Sequence, residues 1–482
     1  MARDTWYKMD NVAKVFLASA NERDTRSFRM TCTLKEDIDE EILGKAVLEA
    51  AKERPQYQVT ILRGFFWHYM EPTADLPTVK KEDVSPCPML IDQKTFGKLH
   101  YQVSYYNNRI NLDFFHAIAD GNGAIEFLNL IVKHYLQIKY PGEFQGLSMV
   151  SGASEADLSQ DSFKQFYSND KKYKSISKAK RAYHIKGAKH PYNQTQFLEV
   201  RMPVKDVIAK AKENGVSLTS FIGASLMMAV FKDMPVLMRN RPVTISMPVN
   251  LRNYYPSNTS RNFFNSVSVS HNYTQEDLGT VAKKYQADLK EQLTPEAVEA
   301  RMQNFEKIET VLYIRMVPLF IKNPVVNAVN RKITKSVTAV VSNLGILSVP
   351  EEVSEHIESY SAFCSTSSLF VVISTFKDEL VLGISCAYRN TQVLRDFIKG
   401  FADDGIDVTV YSTELFEEGG EIPKRKKEKK PKAEKQPKAE KQPKAEKQPE
   451  KKETENIAEE KAADKAQKQS KRKAKKSGKK KA

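Results

Sequence analysis

The stretch FFHAIADGNGA, residues 114 to 124, sets His116 four positions ahead of Asp120 and runs into an Asp-Gly pair. The preceding run RINLDFF alternates in strand fashion, and DGNG cannot easily continue a strand. His116 is therefore expected at or just beyond a strand end, ahead of a helix with a Gly-rich first turn, where a side chain can face a cleft. Imidazole, with an unperturbed pKa of ~6.5, can take a proton from an attacking hydroxyl or amine near neutral pH. The residues alone leave two readings open for His116, a general base and a core histidine at a strand end. Asp120 likewise reads either as a turn or helix-cap aspartate or as an acid that holds the turn through a bidentate arginine and so orients the imidazole. No serine or cysteine sits in a GxSxG elbow or beside an obvious base, so a covalent intermediate is not indicated.

The elements that would position these groups mix strand and helix. RMTCTLKE (29 to 36), YQVTILRG, FFWHYME, KLHYQVSYY and RINLDFFH read as strands, the last two joined by a tight turn at Asn107 and Asn108. EEILGKAVLEAAKER (40 to 54) and Gly121 to Tyr140 read as helices. Residues 151 to 190 change character and read as a linker, ending in the basic KKYKSISKAKRAYHIKGAKH. The α/β mixture then resumes, with QTQFLEVRM as a strand, VKDVIAKAKENG as a helix ending at Gly215, and a second helix capped by Ser217. PVTISMPVN, FNSVSVSHN, VTAVVSNLG, LFVVISTF and ELVLGISCAY read as strands, and a last helix lies near Gln392 to Phe401. The expected organisation is an α/β chain with one half over 1 to 150, the linker, a second half over 191 to 420, and a tail over 421 to 482.

Charge separates the tail from the body. The chain has a net charge of +15, and residues 424 to 482 hold 25 basic and 10 acidic residues, leaving 50 of each in residues 1 to 423. The tail repeats PKAEKQ three times, lacks aromatics and cannot bury enough apolar surface to order itself, so it is expected to be disordered. It is read as a solubilising extension or as a polybasic arm for an anionic surface, lipid or RNA. Cys32, Cys87, Cys364 and Cys386 are too dispersed for a zinc site or a disulfide framework. No stretch approaches the ~20 apolar residues of a membrane span. A cytoplasmic monomer is expected, and a balanced body argues against nucleic-acid binding.

HAIADG resembles the HxxxDG signature of the CoA-dependent acyltransferase superfamily built like chloramphenicol acetyltransferase, which includes alcohol acetyltransferases and condensation domains. RPVTISMPVNLRNYYPSNTSRNFFNSVSV (241 to 269) is similar to the segment of those families in which a strand ends in arginine and is followed by a loop and an aromatic-x-Asn element, with Arg252, Phe263, Phe264 and Asn265 in those places. AVVSNLG (339 to 345) is similar to their Ser-Asn-Leu-Gly strand end. Phe115 stands where condensation domains commonly carry a further histidine.

The resemblance covers roughly residues 1 to 415 and implies two chloramphenicol-acetyltransferase-like α/β halves with mixed sheets and a tunnel between them. His116 would be the general base, Asp120 a structural acid paired with Arg252, and Gly121 the residue leaving room for the chain beside the histidine. The implied reaction moves an acyl group, acetyl in the simplest case, from acyl-CoA to a small alcohol or amine, with no permanently bound cofactor and no metal. Amide formation as in condensation domains, transfer of a long acyl chain, and a non-catalytic scaffold of the same fold are the alternatives. Candidates for the oxyanion donor or the tunnel lining, by residue type, are Ser342, Asn343, Asn265 and the run Ser365 to Ser368. The basic segment 171 to 190 is a candidate for the CoA phosphates.

Overall fold

A computed structural model describes residues 6–91, 99–144, 146–147, 153–168, 180–191, 194–310 and 316–413. The expected disordered tail and residues 171 to 179 of the basic linker lie outside these residues. The first half runs β1 (Tyr7–Lys8), α1 (Asn11–Ser19), β2 (Ser27–Leu34), α2 (Glu40–Glu53), β3 (Val59–Arg63), β4 (His68–Pro72), β5 (Val79–Lys81), β6 (Tyr101–Tyr106), β7 (Arg109–Phe115) and α3 (Gly121–Lys139). Short helices α4 (Glu155–Ser159) and α5 (Ser162–Gln165) lie in the connection. There follow β8 (Gln196–Pro203), α6 (Val204–Glu213), α7 (Leu218–Asp233), β9 (Val243–Asn250), β10 (Phe264–His271), α8 (Leu278–Gln292), α9 (Pro295–Thr310) and α10 (Leu319–Thr334). The chain continues through β11 (Ala339–Ile346), α11 (Glu351–Ser354), β12 (Ile357–Cys364), β13 (Leu369–Phe376), β14 (Glu379–Cys386), α12 (Gln392–Asp403) and β15 (Thr409–Ser412).

Local chemistry accounts for the element ends. Asn107 turns the β6–β7 hairpin at φ +51°, a left-handed conformation that asparagine tolerates. Asp39 caps α2 by accepting from the Ile42 N–H at 3.0 Å, and Leu43, Ala46, Val47 and Ala50, three to four apart, bury its inner stripe. Ser217 caps α7, an apolar helix buried on several faces at the centre of the second half's core.

Strands assemble into a five-stranded sheet, β12-β2-β7-β6-β5, and a seven-stranded sheet, β10-β9-β11-β13-β14-β8-β15, with a small sheet β1-β4-β3. The large sheet is mixed, because β11 runs parallel to both β9 and β13 while the other pairs are antiparallel. β12 follows β11 in sequence yet pairs antiparallel with β2, so the second half lends a strand to the first half's sheet. Each half has its own hydrophobic core, and a smaller aromatic cluster containing Phe163, Leu251 and Phe263 lies beside the end of β7 that bears the histidine. All four cysteines are free thiols. Among the described residues no single helix is long and apolar enough to cross a membrane.

Candidate active site

β7 ends at Phe115, and the next residue, His116, is part exposed. Its backbone N–H donates to the Arg26 carbonyl at 2.9 Å, which ties the strand end to the loop before β2. The imidazole is ringed by Phe16 of α1 at 4.5 Å, Phe28 of β2 at 4.6 Å and Phe264 of β10 at 5.5 Å between centroids. Burial among these rings pushes the imidazole below its ordinary value of 6.5, against the opposing pull of the Asp120 charge.

Asn262 fixes the ring. Its Oδ1 lies 3.1 Å from His116 Nδ1, and its Nδ2 donates to the His116 carbonyl at 2.9 Å. The amide oxygen can only accept, so Nδ1 carries the proton and the neutral imidazole keeps its lone pair on Nε2. That is the tautomer a base needs if Nε2 is to receive a proton.

Asp120 precedes α3 and caps it, accepting from the Gly123 N–H at 3.1 Å. Arg252 holds the same carboxylate bidentately, through Nη1 at 2.7 Å and Nη2 at 3.3 Å, and the Phe263 N–H donates to it at 3.0 Å. The arginine's other donors go to the Thr259 and Arg261 carbonyls and to Asn250 Oδ1, so the loop from 251 to 263 is folded around one guanidinium. Charge-assisted bonds of this kind are the strong ones, and Asp120 and Arg252 are nearly enclosed. The pair touches the imidazole through no bond of its own. It places Asn262, and Asn262 places His116.

Of the two glycines after Asp120, the closer approach is at Gly123. A Cβ there would overlap the Ser260 carbonyl and come within 2.6 Å of Tyr57 Oη, whereas a Cβ on Gly121 would meet Leu344 Cδ2 at 3.0 Å and Met30 Cε at 3.4 Å. The contact with Leu344 also puts the Ser-Asn-Leu-Gly end of β11 against the turn that follows the histidine.

The remaining candidates divide by the two-residue period of strands. On β10, Phe264 faces His116, so Asn265 points to the other face with the buried Val267 and Val269, and its Oδ1 accepts from the Ser266 N–H at 2.8 Å. The asparagine beside the histidine is Asn262, before the two phenylalanines rather than after them. On β11, Ser342 lies opposite Val372, a core residue of the first half, and so faces the turn after His116. Asn343 faces the other way, donating to Thr219 Oγ1 of α7 at 2.7 Å and accepting from the Gly345 N–H at 2.7 Å, which closes the turn. In the run Ser365 to Ser368, Ser365 Oγ accepts from the Thr25 N–H, Thr366 Oγ1 from the Ser368 N–H, and Ser368 Oγ donates to the Thr338 carbonyl. These hydroxyls pin loops.

Two cavities lie away from the histidine. One of about 350 Å³ lies at the far end of α3, lined by Lys35, Glu36, Lys139, Tyr140 and His356, and a smaller one is lined by Arg23, Lys189, His190 and Ser367. Neither reaches His116, whose surroundings are the three phenylalanine rings.

No protein-family model and no curated protein matches the chain. Solved structures do. TRI101 of F. graminearum, complexed with coenzyme A and T-2 mycotoxin, is similar over 84% of this chain and 99% of its own at 11% identity and a TM-score of 0.57. The TRI3 trichothecene 15-O-acetyltransferase of Fusarium sporotrichioides is similar over 83% and 94% at 11% identity, TM-score 0.53. The first condensation domain of the calcium-dependent antibiotic synthetase, in complex with a substrate analogue, is similar over 84% and 99% at 12% identity, TM-score 0.53. At such identities the likeness is one of fold: the chain has the two-lobed α/β fold that acetyltransferases and condensation domains share.

Proposed function

We propose that the chain is a CoA-dependent acyltransferase that moves an acyl group, acetyl in the simplest case, from CoA to the hydroxyl of an alcohol. The observation that carries the reading is the His116 tautomer, with Nδ1 bonded to Asn262 and the Nε2 lone pair left for a proton, in a fold shared with TRI3 acetyltransferase. The acceptor hydroxyl loses its proton to Nε2 as its oxygen attacks the thioester carbonyl. Collapse of the tetrahedral intermediate breaks the C–S bond, and the imidazolium returns the proton to the departing CoA thiolate. One histidine serves both transfers, so no acyl-enzyme is required. Ser342, on the face of β11 turned to the first half, is assigned as the hydroxyl that donates to the oxyanion. CoA is a co-substrate here. The phenylalanines around the imidazole exclude water and favour an acceptor with an apolar body.

The test is thiol release from acetyl-CoA over a panel of alcohols and amines, comparing the native chain with His116→Ala. Acceptor-dependent release is expected, lowered by roughly 10²–10⁴ in the variant, the usual contribution of a positioned base. Undiminished turnover in His116→Ala removes the base assignment. Release with amines alone gives the amide-forming alternative, and silence with every acceptor leaves the scaffold.

A further inference from the structure

Helix α10 wears its polarity inside out. Ile321, Val325, Val329 and Ile333, four residues apart and therefore on one face, are 48 to 58% exposed. After the buried Leu319, the half-buried positions are Lys322, Asn323, Val326, Asn327 and Asn330, four of the five polar, on a helix that contacts α1. A surface helix of a water-soluble domain has the opposite arrangement. Beside it stands the tip of the β3–β4 hairpin, where Phe65 is 65% and Trp67 48% exposed. Hairpin and helix are joined, since the Leu319 N–H donates to the Phe65 carbonyl at 2.9 Å, Lys322 Nζ to the Phe66 carbonyl at 3.0 Å, and the Phe65 and Phe320 rings lie 6.4 Å apart. Contiguous exposed apolar surface of this kind marks a binding face.

Charge identifies what it meets. From Met316 to Pro350 there are four basic residues, Lys322, Arg331, Lys332 and Lys335, and no acidic one, whereas the rest of residues 1 to 423 holds 46 basic and 50 acidic residues. A second copy would bring four more cations and no acid to the face. Exposed Trp and Phe beside an apolar helical stripe with basic flanks is the composition of a segment lying in a membrane interface, its rings at headgroup depth and its cations on anionic lipid. We propose that α10 and the Phe65–Trp67 hairpin tip dock this protein on an anionic lipid surface. The docking does not depend on the acyltransferase reading. It does place the lipid one helix away from the histidine, because α10 contacts α1 and α1 carries Phe16 over the imidazole.

The chain has two tryptophans, Trp6 just before β1 and Trp67 in the β3–β4 turn, so Trp6→Phe leaves Trp67 as a single reporter at the face. The full-length Trp6→Phe protein is mixed with phosphatidylcholine vesicles, with and without phosphatidylserine, and with the same vesicles containing brominated acyl chains. Docking predicts a blue shift of Trp67 emission and its quenching by the bromines, dependent on phosphatidylserine. Adding Ile321→Glu, Val325→Glu and Val329→Glu should lower partitioning by roughly tenfold or more with an unchanged far-UV spectrum. Phe65→Asp, at the exposed tip, should weaken it in the same direction even if the triple variant misfolds. Sedimentation with anionic vesicles but no quenching means capture by the basic tail alone and overturns the proposal. So does the absence of binding, or a native dimer that the triple variant turns into a monomer.

Discussion

Asn262 decides which nitrogen of His116 holds the proton, and its contribution can be separated from mere packing. Asn262→Ala removes the acceptor of the Nδ1 proton and the donor to the His116 carbonyl. The ring then loses its fixed tautomer, and turnover should fall by roughly one to two orders of magnitude at unchanged KM for acyl-CoA. Asn262→Asp sets a carboxylate where Oδ1 now lies, 3.1 Å from Nδ1, and a negative charge there favours the imidazolium. The native acid limb of kcat/KM should lie below 6.5, because burial depresses the imidazole and keeps it unprotonated, and therefore competent, at mildly acid pH. In Asn262→Asp that limb should move up. A pH profile unchanged by this substitution shows that the titrating base is another group. Sequence reading offered His116 and Asp120 from their local spacing, and Arg252 only through the resemblance of residues 241 to 269 to the acyltransferase segment. It passed over Asn262 because the asparagine in the expected motif position is Asn265, and only strand alternation reveals that Asn265 faces away.

The same contrast between local and distant information runs through the elements. Helices α2, α3, α6 and α7 were legible from periodicity and caps, and the hairpin at Asn107 from its turn residues. Helix α1 was missed because nine residues, NVAKVFLAS, form too short a pattern, although it carries the Phe16 ring packed at a tilt against His116. β12, IESYSAFC, was missed because its partner β2 lies more than 300 residues away in sequence. Two helical glycines show how position reverses a propensity. Gly44 in α2 has no atom within 4 Å of where a Cβ would stand, so Gly44→Ala should stabilise the chain by about 0.5–1 kcal/mol, the ordinary helix preference. Gly123 in α3 has the Ser260 carbonyl in that place. Gly123→Ala should destabilise by about 1–3 kcal/mol, as overpacking does. Because Ser260 belongs to the loop that carries Asn262, it should also lower turnover. Denaturant melts of the two variants check the opposite signs, and equal shifts in the same direction reject the close approach at Gly123.

At the scale of the whole molecule the two halves are not separable lobes. β12 sits in the first half's sheet while its chain neighbours β11 and β13 belong to the second's. Arg109 of β7 forms a bidentate pair with Glu199 of β8 at 3.0 and 3.2 Å, which joins the two sheets by charge across their contact. The sheets approach so closely at Gly383 of β14 that a Cβ there would overlap the carbonyl of Ala362 on β12. A substitution in the second half at this point must therefore be felt in the first. Gly383→Val should lower stability by roughly 1–3 kcal/mol or more through overpacking, and it should do so for both halves together. Both tryptophans lie in the first half, so their emission follows that half, while far-UV circular dichroism averages over every helix and strand. Coupled halves require one transition with coincident midpoints by both probes in the native chain, and a common shift in Gly383→Val. If the tryptophan midpoint stays in place while the dichroism midpoint falls, the exchanged strand does not transmit stability between the halves. The loop that orients His116, folded around an arginine of the second half and an aspartate of the first, would then have to hold on its own bonds alone.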